Sequence, residues 1–257
     1  MLKVRVIPVL LWKNVGLVKG VSFNSWRRIG SILPAIKVFN TRQVDELIVL
    51  DINATQEKRD PDYEMLSEIS FECFVPLTVG GGINNLEQIK KLLRLGADKV
   101  SINSGSFTNP ELISEAANRF GTQCVVASID AKENNGEFFC YSHAGTKQTQ
   151  YPVLEWAIKM EMMGAGEILL TDVNLDGTMQ GYNIGLVKKV SKVVKIPVIA
   201  CGGGGKLNDF SEVILEGGAT AIVAASVFQF TEITPLEIKN HLAQKSIPVR
   251  SSILMYS

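Results

Sequence analysis

Histidine is nearly absent from this chain and cysteine is scarce. Two histidines (His143, His241) and four scattered cysteines (Cys73, Cys124, Cys140, Cys201) occur among 257 residues. No two cysteines form a C-x-x-C pair, so neither a metal site nor a cofactor is expected. The cysteines read as reduced residues of a cytoplasmic chain. Net charge is lacking too, because 26 Lys and Arg offset 26 Asp and Glu. A nucleic-acid binder carries a clear basic excess, so that partner class is set aside, while a local site for a small anion is not. No apolar run reaches the roughly 18 residues needed to span a bilayer, which sets aside a membrane role. Val4–Trp12, with Lys3 and Arg5 at its start, has the outline of a signal peptide. It is short and lacks a small-residue cleavage site, and reads better as a first strand.

What is present is an apolar fraction of 46%, enough for a sizeable core. Short apolar runs alternate with amphipathic segments along the whole chain. The candidate strands are Arg5–Leu10, Leu47–Ile52, Pro76–Val79, Lys99–Asn103, Cys124–Asp130, Glu167–Thr171, Pro197–Cys201 and Ala221–Ala225. Helical patterns lie between them at Asp62–Cys73, Leu86–Leu95, Pro110–Phe120, Val153–Met163, Ile184–Val194 and Leu207–Glu216. Strands separated by helices pair in parallel, and eight of them close naturally into a (β/α)8 TIM barrel, for which about 250 residues suffice. A doubly wound open sheet is the competing arrangement.

Internal self-similarity favours the barrel. Thr78-Val79-Gly80-Gly81-Gly82 resembles Ala200-Cys201-Gly202-Gly203-Gly204. Gly96-Ala97 before Lys99–Ser104 resembles Gly218-Ala219 before Ala221–Ser226, and Asp45–Leu50 resembles Gly166–Thr171. The offset is about 121 positions each time. One barrel domain over residues 1–257, made of half-barrels at about 1–121 and 122–245, accounts for this. It also predicts two similar ligand sites at one face.

Ligands bind a barrel of this kind where the strands end. The glycine runs follow the third and seventh strands, and Asn103-Ser104 and Ala225-Ser226 end the fourth and eighth. Glycine lets backbone amides approach an anion closely. Tight turns alone would also explain one such run, but two related copies point to two phosphate sites. A ligand phosphorylated at both ends would bridge them. Asp176-Gly177-Thr178, with Gly181, reads either as a turn or as a ligand contact.

Asp130 ends the fifth strand in Ser-Ile-Asp-Ala-Lys. General acid/base work and a salt bridge to Lys132 are both open there. Sliding this strand onto the first places Asp130 on Leu11 and Lys132 on Lys13. A symmetric two-acid site needs an acid at position 11, and leucine cannot move a proton. Lys19, in Leu17–Val21, is read as part of a loop closing over an anion, with a solvated surface lysine as the alternative. Strand parity turns Asp51 away from Glu46, Ile48, Leu50 and Ile52, which suggests a structural role. The same parity gathers Arg5, Glu46, Lys99 and Glu167 at the barrel floor. Such a ring is either a salt-bridge plug or a gate for a small molecule.

Together these residues resemble the HisF-type cyclase subunit of imidazole glycerol phosphate synthase, in histidine biosynthesis. The resemblance is carried by Val18–Val21, Leu50-Asp51-Ile52, Thr78–Ile83, Gly96–Asn103, Ile129–Lys132, Gly164–Thr171, Asp176-Gly177-Thr178 and Ala224–Phe228. It implies a barrel that docks a glutaminase subunit at its N-terminal face, with Asp98 at the interface. Ammonia would enter through a gate of Arg5, Glu46, Lys99 and Glu167. It would react with a bis-phosphorylated ribulosyl aminoimidazole held by Gly82, Asn103 and Ser104 in one half and Gly177, Gly203, Ala225 and Ser226 in the other. Lys19, Thr171 and Asp176 would line the ligand.

The departures carry equal weight. Of the family's two catalytic aspartates only Asp130 is present, and Leu11 stands in place of the other. Val9 replaces a common Cys, Ala144 and Cys201 replace serines, and Gly30–Pro34 departs from the usual Asp-Pro. A complete gate beside a missing acid resembles a diverged branch associated with acetamidino-sugar formation in surface polysaccharides or flagellin glycans. There the barrel would supply ammonia toward a separate ATP-dependent sugar amidotransferase. A working cyclase of histidine biosynthesis is the alternative. The apolar tail Pro248–Ser257 reads as a helix cover or an interface.

Overall fold

The computed structural model describes residues 3–14 and 16–250. In chain order the elements begin with β1 (Arg5–Lys13), β2 (Gly16–Val21), β3 (Asn24–Gly30) and α1 (Ile32–Thr41). There follow β4 (Leu47–Asp51), α2 (Tyr63–Ser70), β5 (Leu77–Gly80), α3 (Leu86–Arg94), β6 (Lys99–Ile102), α4 (Ser104–Thr108) and α5 (Glu111–Phe120). A 3-10 turn leads into β7 (Val125–Asn134), β8 (Glu137–Ser142), β9 (Lys147–Pro152), α6 (Val153–Met162) and β10 (Glu167–Asp172). The chain continues through α7 (Ile184–Val193), β11 (Val198–Cys201), α8 (Leu207–Leu215), β12 (Ala221–Ala224), α9 (Ser226–Phe230) and α10 (Pro235–Gln244).

Eight parallel strands, β1, β4, β5, β6, β7, β10, β11 and β12, close into a (β/α)8 barrel when β12 pairs with β1. The open-sheet alternative is therefore excluded. All eight expected strand runs appear, with ends shifted by a few residues. The Val4–Trp12 segment is the first barrel strand.

Each barrel strand is buried on both faces. Outward-facing residues such as Val6 and Leu10 pack with Ile36, Ile69, Ile89 and Phe210 of the helices in one outer core. Inward-facing residues such as Ile7, Ile48, Val126 and Leu169 fill the barrel. The helices start where the sequence supplies caps. Asp62, Asn85, Asn183 and Thr234 each accept a bond from a first-turn amide of α2, α3, α7 and α10. In α3 the buried Ile89 and Leu92 recur at helical spacing, while Lys91 and Arg94 sit in the last turn.

Two parts differ from expectation. Leu17–Val21 is strand β2 of a hairpin with β3, not a loop. A second hairpin arm, β8 and β9, extends β7. Both additions rise from the first strand of a half. The described part of the tail lies against β1, where Val4 N donates to Pro248 O at 2.7 Å. The remainder, 251–257, lies outside the described residues. Among the described residues no helix is long and apolar enough to cross a membrane.

Candidate functional site

Strand register sets which residues meet at each end of the barrel. Leu11 lies beside Leu50 across β1 and β4, and Asp130 beside Thr171 across β7 and β10. A shift of about 121 positions carries one pair onto the other. Leu11 therefore stands on the rung that corresponds to Asp130.

At the C-terminal mouth, a cavity of about 100 Å³ is lined by Leu11, Gly82, Asn103, Ser104 and Asp130, among others. A second, smaller hollow is lined by Asp176, Gly177, Gly203, Ala225 and Ser226. The candidate residues thus fall into two groups, one per half. Gly82 (φ +72°) and Gly203 (φ +106°) occupy left-handed conformations. A side chain at Gly203 would strike the Gly181 carbonyl, and one at Gly82 would crowd Arg59 O and Ala54. Only glycine lets the backbone turn here and pack this closely beside each hollow.

Asp130 is buried and held by Asn103, whose Nδ2 lies 3.2 Å from its Oδ2. Ser104 Oγ donates to Asn103 Oδ1 at 3.1 Å. The expected alternative partner, Lys132, turns instead to the Gly145 carbonyl and the Tyr141 ring. Burial, reinforced by the charge of Asp176, pushes the Asp130 carboxyl up to about 7, with Lys132 opposing. Burial likewise raises Asp176 to about 6, opposed by Lys19. A carboxyl group raised to near neutrality, as Asp130 is, is suited to proton exchange with a ligand.

Lys19 is only 3% exposed, so the solvated alternative is overturned. Its Nζ donates to Val9 O at 3.1 Å. Burial lowers its pKa to about 8, offset by Asp176 and Cys201. The hairpin β2–β3 is fastened over the second hollow, where Ser22 N donates to Asp176 O at 2.8 Å and Ser22 Oγ to Asn174 O at 2.8 Å. Cys201 lines that hollow, with its thiol pushed up by burial and by the Asp176 charge. Thr171 is buried beside Asp130. Ala144 adds only a methyl group to the first cavity.

Asp51 does not offer its carboxylate to a ligand. Arg59 binds both of its oxygens, and the Asn53 and Ala54 amides approach Oδ1 at 3.2 Å. Asp172 repeats this in the other half, accepting from the Asn174 and Leu175 amides and from Asn183 Nδ2. The sequence reading missed Asp172 as a loop anchor. Adding 121 to position 51 would have found it.

At the N-terminal floor, Arg5 Nη1 lies 2.7 Å from Glu46 Oε1 and 2.7 Å from Glu167 Oε1. Lys99 Nζ lies 3.0 Å from Glu46 Oε2 and 3.0 Å from Glu167 Oε2. The four side chains form a closed ring, each acid bonded to both bases. Asp98, beside it, is exposed and accepts from Leu77 N at 2.8 Å.

A family model described as histidine biosynthesis protein matches residues 5–234. The imidazole glycerol phosphate synthase subunit HisF of Chlorobaculum parvum (strain DSM 263 / NCIMB 8327) is 45% identical over 250 residues, which cover 97% of this chain and 100% of that protein. With its closed barrel and two glycine-lined hollows, the chain belongs to the HisF-type family of histidine biosynthesis proteins.

Proposed function

We propose that this barrel is a cyclase-type subunit that receives ammonia from a glutaminase partner at its floor, binds phosphorylated ligands at its mouth, and has lost efficient cyclisation. One observation carries the proposal. Leu11 occupies the rung that corresponds to Asp130, while the floor ring is complete. Cyclisation by two carboxyl groups needs a proton donor and acceptor on both sides of the ligand, and leucine supplies neither. The ring of Arg5, Glu46, Lys99 and Glu167 acts as the ammonia gate in this reading, with Asp98 at the partner interface.

An apolar rim supports docking at that face. Phe71, Phe74, Met162 and Leu215 are each at least 64% exposed, and all lie where a helix hands over to the next strand. Exposed large apolar side chains spaced around one end of the barrel favour a protein partner there. Backbone amides around Gly82 and Ser104, and around Gly177, Gly203, Ala225 and Ser226, hold the two phosphates. Lys19, Asp176 and Thr171 face the ligand between them. The biological role that fits is ammonia supply for acetamidino-sugar formation in surface glycans, through a separate ATP-dependent amidotransferase.

The full-length 45% identity to a HisF subunit favours a second reading, a working cyclase of histidine biosynthesis. The two separate in one assay. The purified chain is given the bis-phosphorylated ribulosyl aminoimidazole and ammonium salts, with and without a glutaminase. Little turnover in either arm is expected. Turnover matching an aspartate-bearing relative would establish the second reading instead.

A further inference from the structure

The loss of an acid at Leu11 leaves more than a gap in the chemistry. It changes what the first cavity can hold. Leu11, Leu50 and Ile52 form one apolar wall of that cavity, and Phe23 and Trp26 of the hairpin form another. The polar lining comes from Asn103, Ser104, Ser128 and Asp130 and, beside Ile52, from Asp51 and Thr55, with Asp51 already bound by Arg59.

The two aromatic rings are placed with care by the backbone. Ser22 and Phe23 form the two-residue turn of β2–β3, both left-handed at φ +49° and +58°. Asn-Gly is the usual choice for such a turn, and a bulky residue there is disfavoured by its own Cβ. The strained turn directs the Phe23 ring over Gly145 and into the cavity. Trp26 lies flat against Gly20, where an added Cβ would come within 2.7 Å of the indole. The two ring centroids are 6.4 Å apart, and Arg27 over the Phe230 ring at 4.2 Å pins the hairpin to α9. An apolar cavity of about 150 Å³ accepts a single six-membered ring, and this one, at about 100 Å³, is of the same order.

We infer that the first-half cavity takes a phosphate monoester of a flat, largely apolar ring and discriminates against polyhydroxylated phosphate esters, with Leu11 and Trp26 setting the preference. The inference rests on the phosphate assignment of the Gly82 loop made above. A phosphate at Gly82 and Ser104 leaves the rest of its ester against Leu11, Phe23 and Trp26. A hydroxyl pressed on that wall loses water and gains no partner, whereas a ring face gains apolar contact.

Isothermal titration of the full chain with inorganic phosphate, glycerol phosphate and phenyl phosphate tests this. Phenyl phosphate is expected to bind at least about tenfold more tightly than glycerol phosphate. Leu11→Asn, which adds polarity without charge, should erase most of that preference while leaving inorganic phosphate within about threefold. Trp26→Leu, a milder change that keeps the site apolar, should weaken phenyl phosphate alone. Equal or better binding of glycerol phosphate would overturn the inference, as would an unchanged preference in both variants. If inorganic phosphate binds and the preference is absent, only the ring assignment falls. If none of the three binds, the phosphate assignment falls and the inference with it.

Discussion

Arg59 grips Asp51 through both carboxylate oxygens, Nη1 to Oδ2 at 2.6 Å and Nη2 to Oδ1 at 2.8 Å. The pair ties the loop after β4 to the strand it leaves. Gly81 packs directly on the Asp51 backbone, so the clamp also positions the glycine loop after β5. Asp51→Ala would strand Arg59 and release two loop amides. Because Arg59 is partly exposed, a loss on the order of 2 kcal/mol is expected rather than the larger cost of breaking a fully buried pair. Thermal unfolding checks the stability, and phosphate titration checks the loop. A midpoint within a degree of wild type would deny the clamp its structural role.

Leu11→Asp restores an acid opposite Asp130. Turnover with ammonium salts is expected to rise roughly tenfold or more over the wild-type chain, provided both phosphate sites survive. A variant that binds ligand and stays inactive would shift the blame to Ala144, Cys201 or the hairpin.

Lys99→Ala removes one base from the floor ring and leaves two carboxylates sharing Arg5. If the ring gates ammonia, glutamine-dependent delivery should change several-fold while phosphate binding stays within about twofold, since the two ends are separated by the packed barrel interior. Parallel loss in both assays would mark the ring as a structural plug.

The mouth makes stability depend on pH in two opposed windows. Asp130 keeps its proton up to about pH 7 in the folded chain and releases it near the ordinary 3.8 when unfolded. Between those values the folded state binds more protons, so stability falls as pH rises. Asp176 adds in the same sense up to about 6. Lys19 acts the other way from about 8 to its ordinary 10.5, because there the unfolded chain binds the extra proton and stability climbs. Thermal midpoints measured from about pH 5 to 7 should therefore decline, and Asp130→Asn should flatten the decline. A slope unaffected by that variant would show that Asp130 ionises as an ordinary carboxylate.

The barrel strands were legible because burial on both faces writes continuous apolar runs such as Val125–Ile129. Parity then placed Arg5, Glu46, Lys99 and Glu167 on one inward floor, where they meet. The hairpins were not legible. β3 is mostly exposed and reads Asn-Ser-Trp-Arg-Arg-Ile-Gly, with no sustained alternation, and its turn is Ser-Phe where a glycine would have announced it. Lys19 stands out in the sequence but its strand does not, because its burial depends on the hairpin folding back on Val9. The apolar character of the first cavity was hidden for the same reason: Phe23 and Trp26 reach Leu11 only through that fold.

The floor ring has a consequence for what can pass it. From β1 through β4 and β6 to β10 the signs run plus, minus, plus, minus, which makes an electric quadrupole. Its field dies away within a few ångströms, so it neither draws nor repels an ion waiting below. Within the ring the charges are already matched by contacts of 2.7 and 3.0 Å. An ion entering would shed its water into a ring whose charges are already paired, at an effective cost on the order of several kcal/mol. If the ring serves as a gate, a small uncharged molecule is spared that cost, and the floor would sort its visitors by hydration.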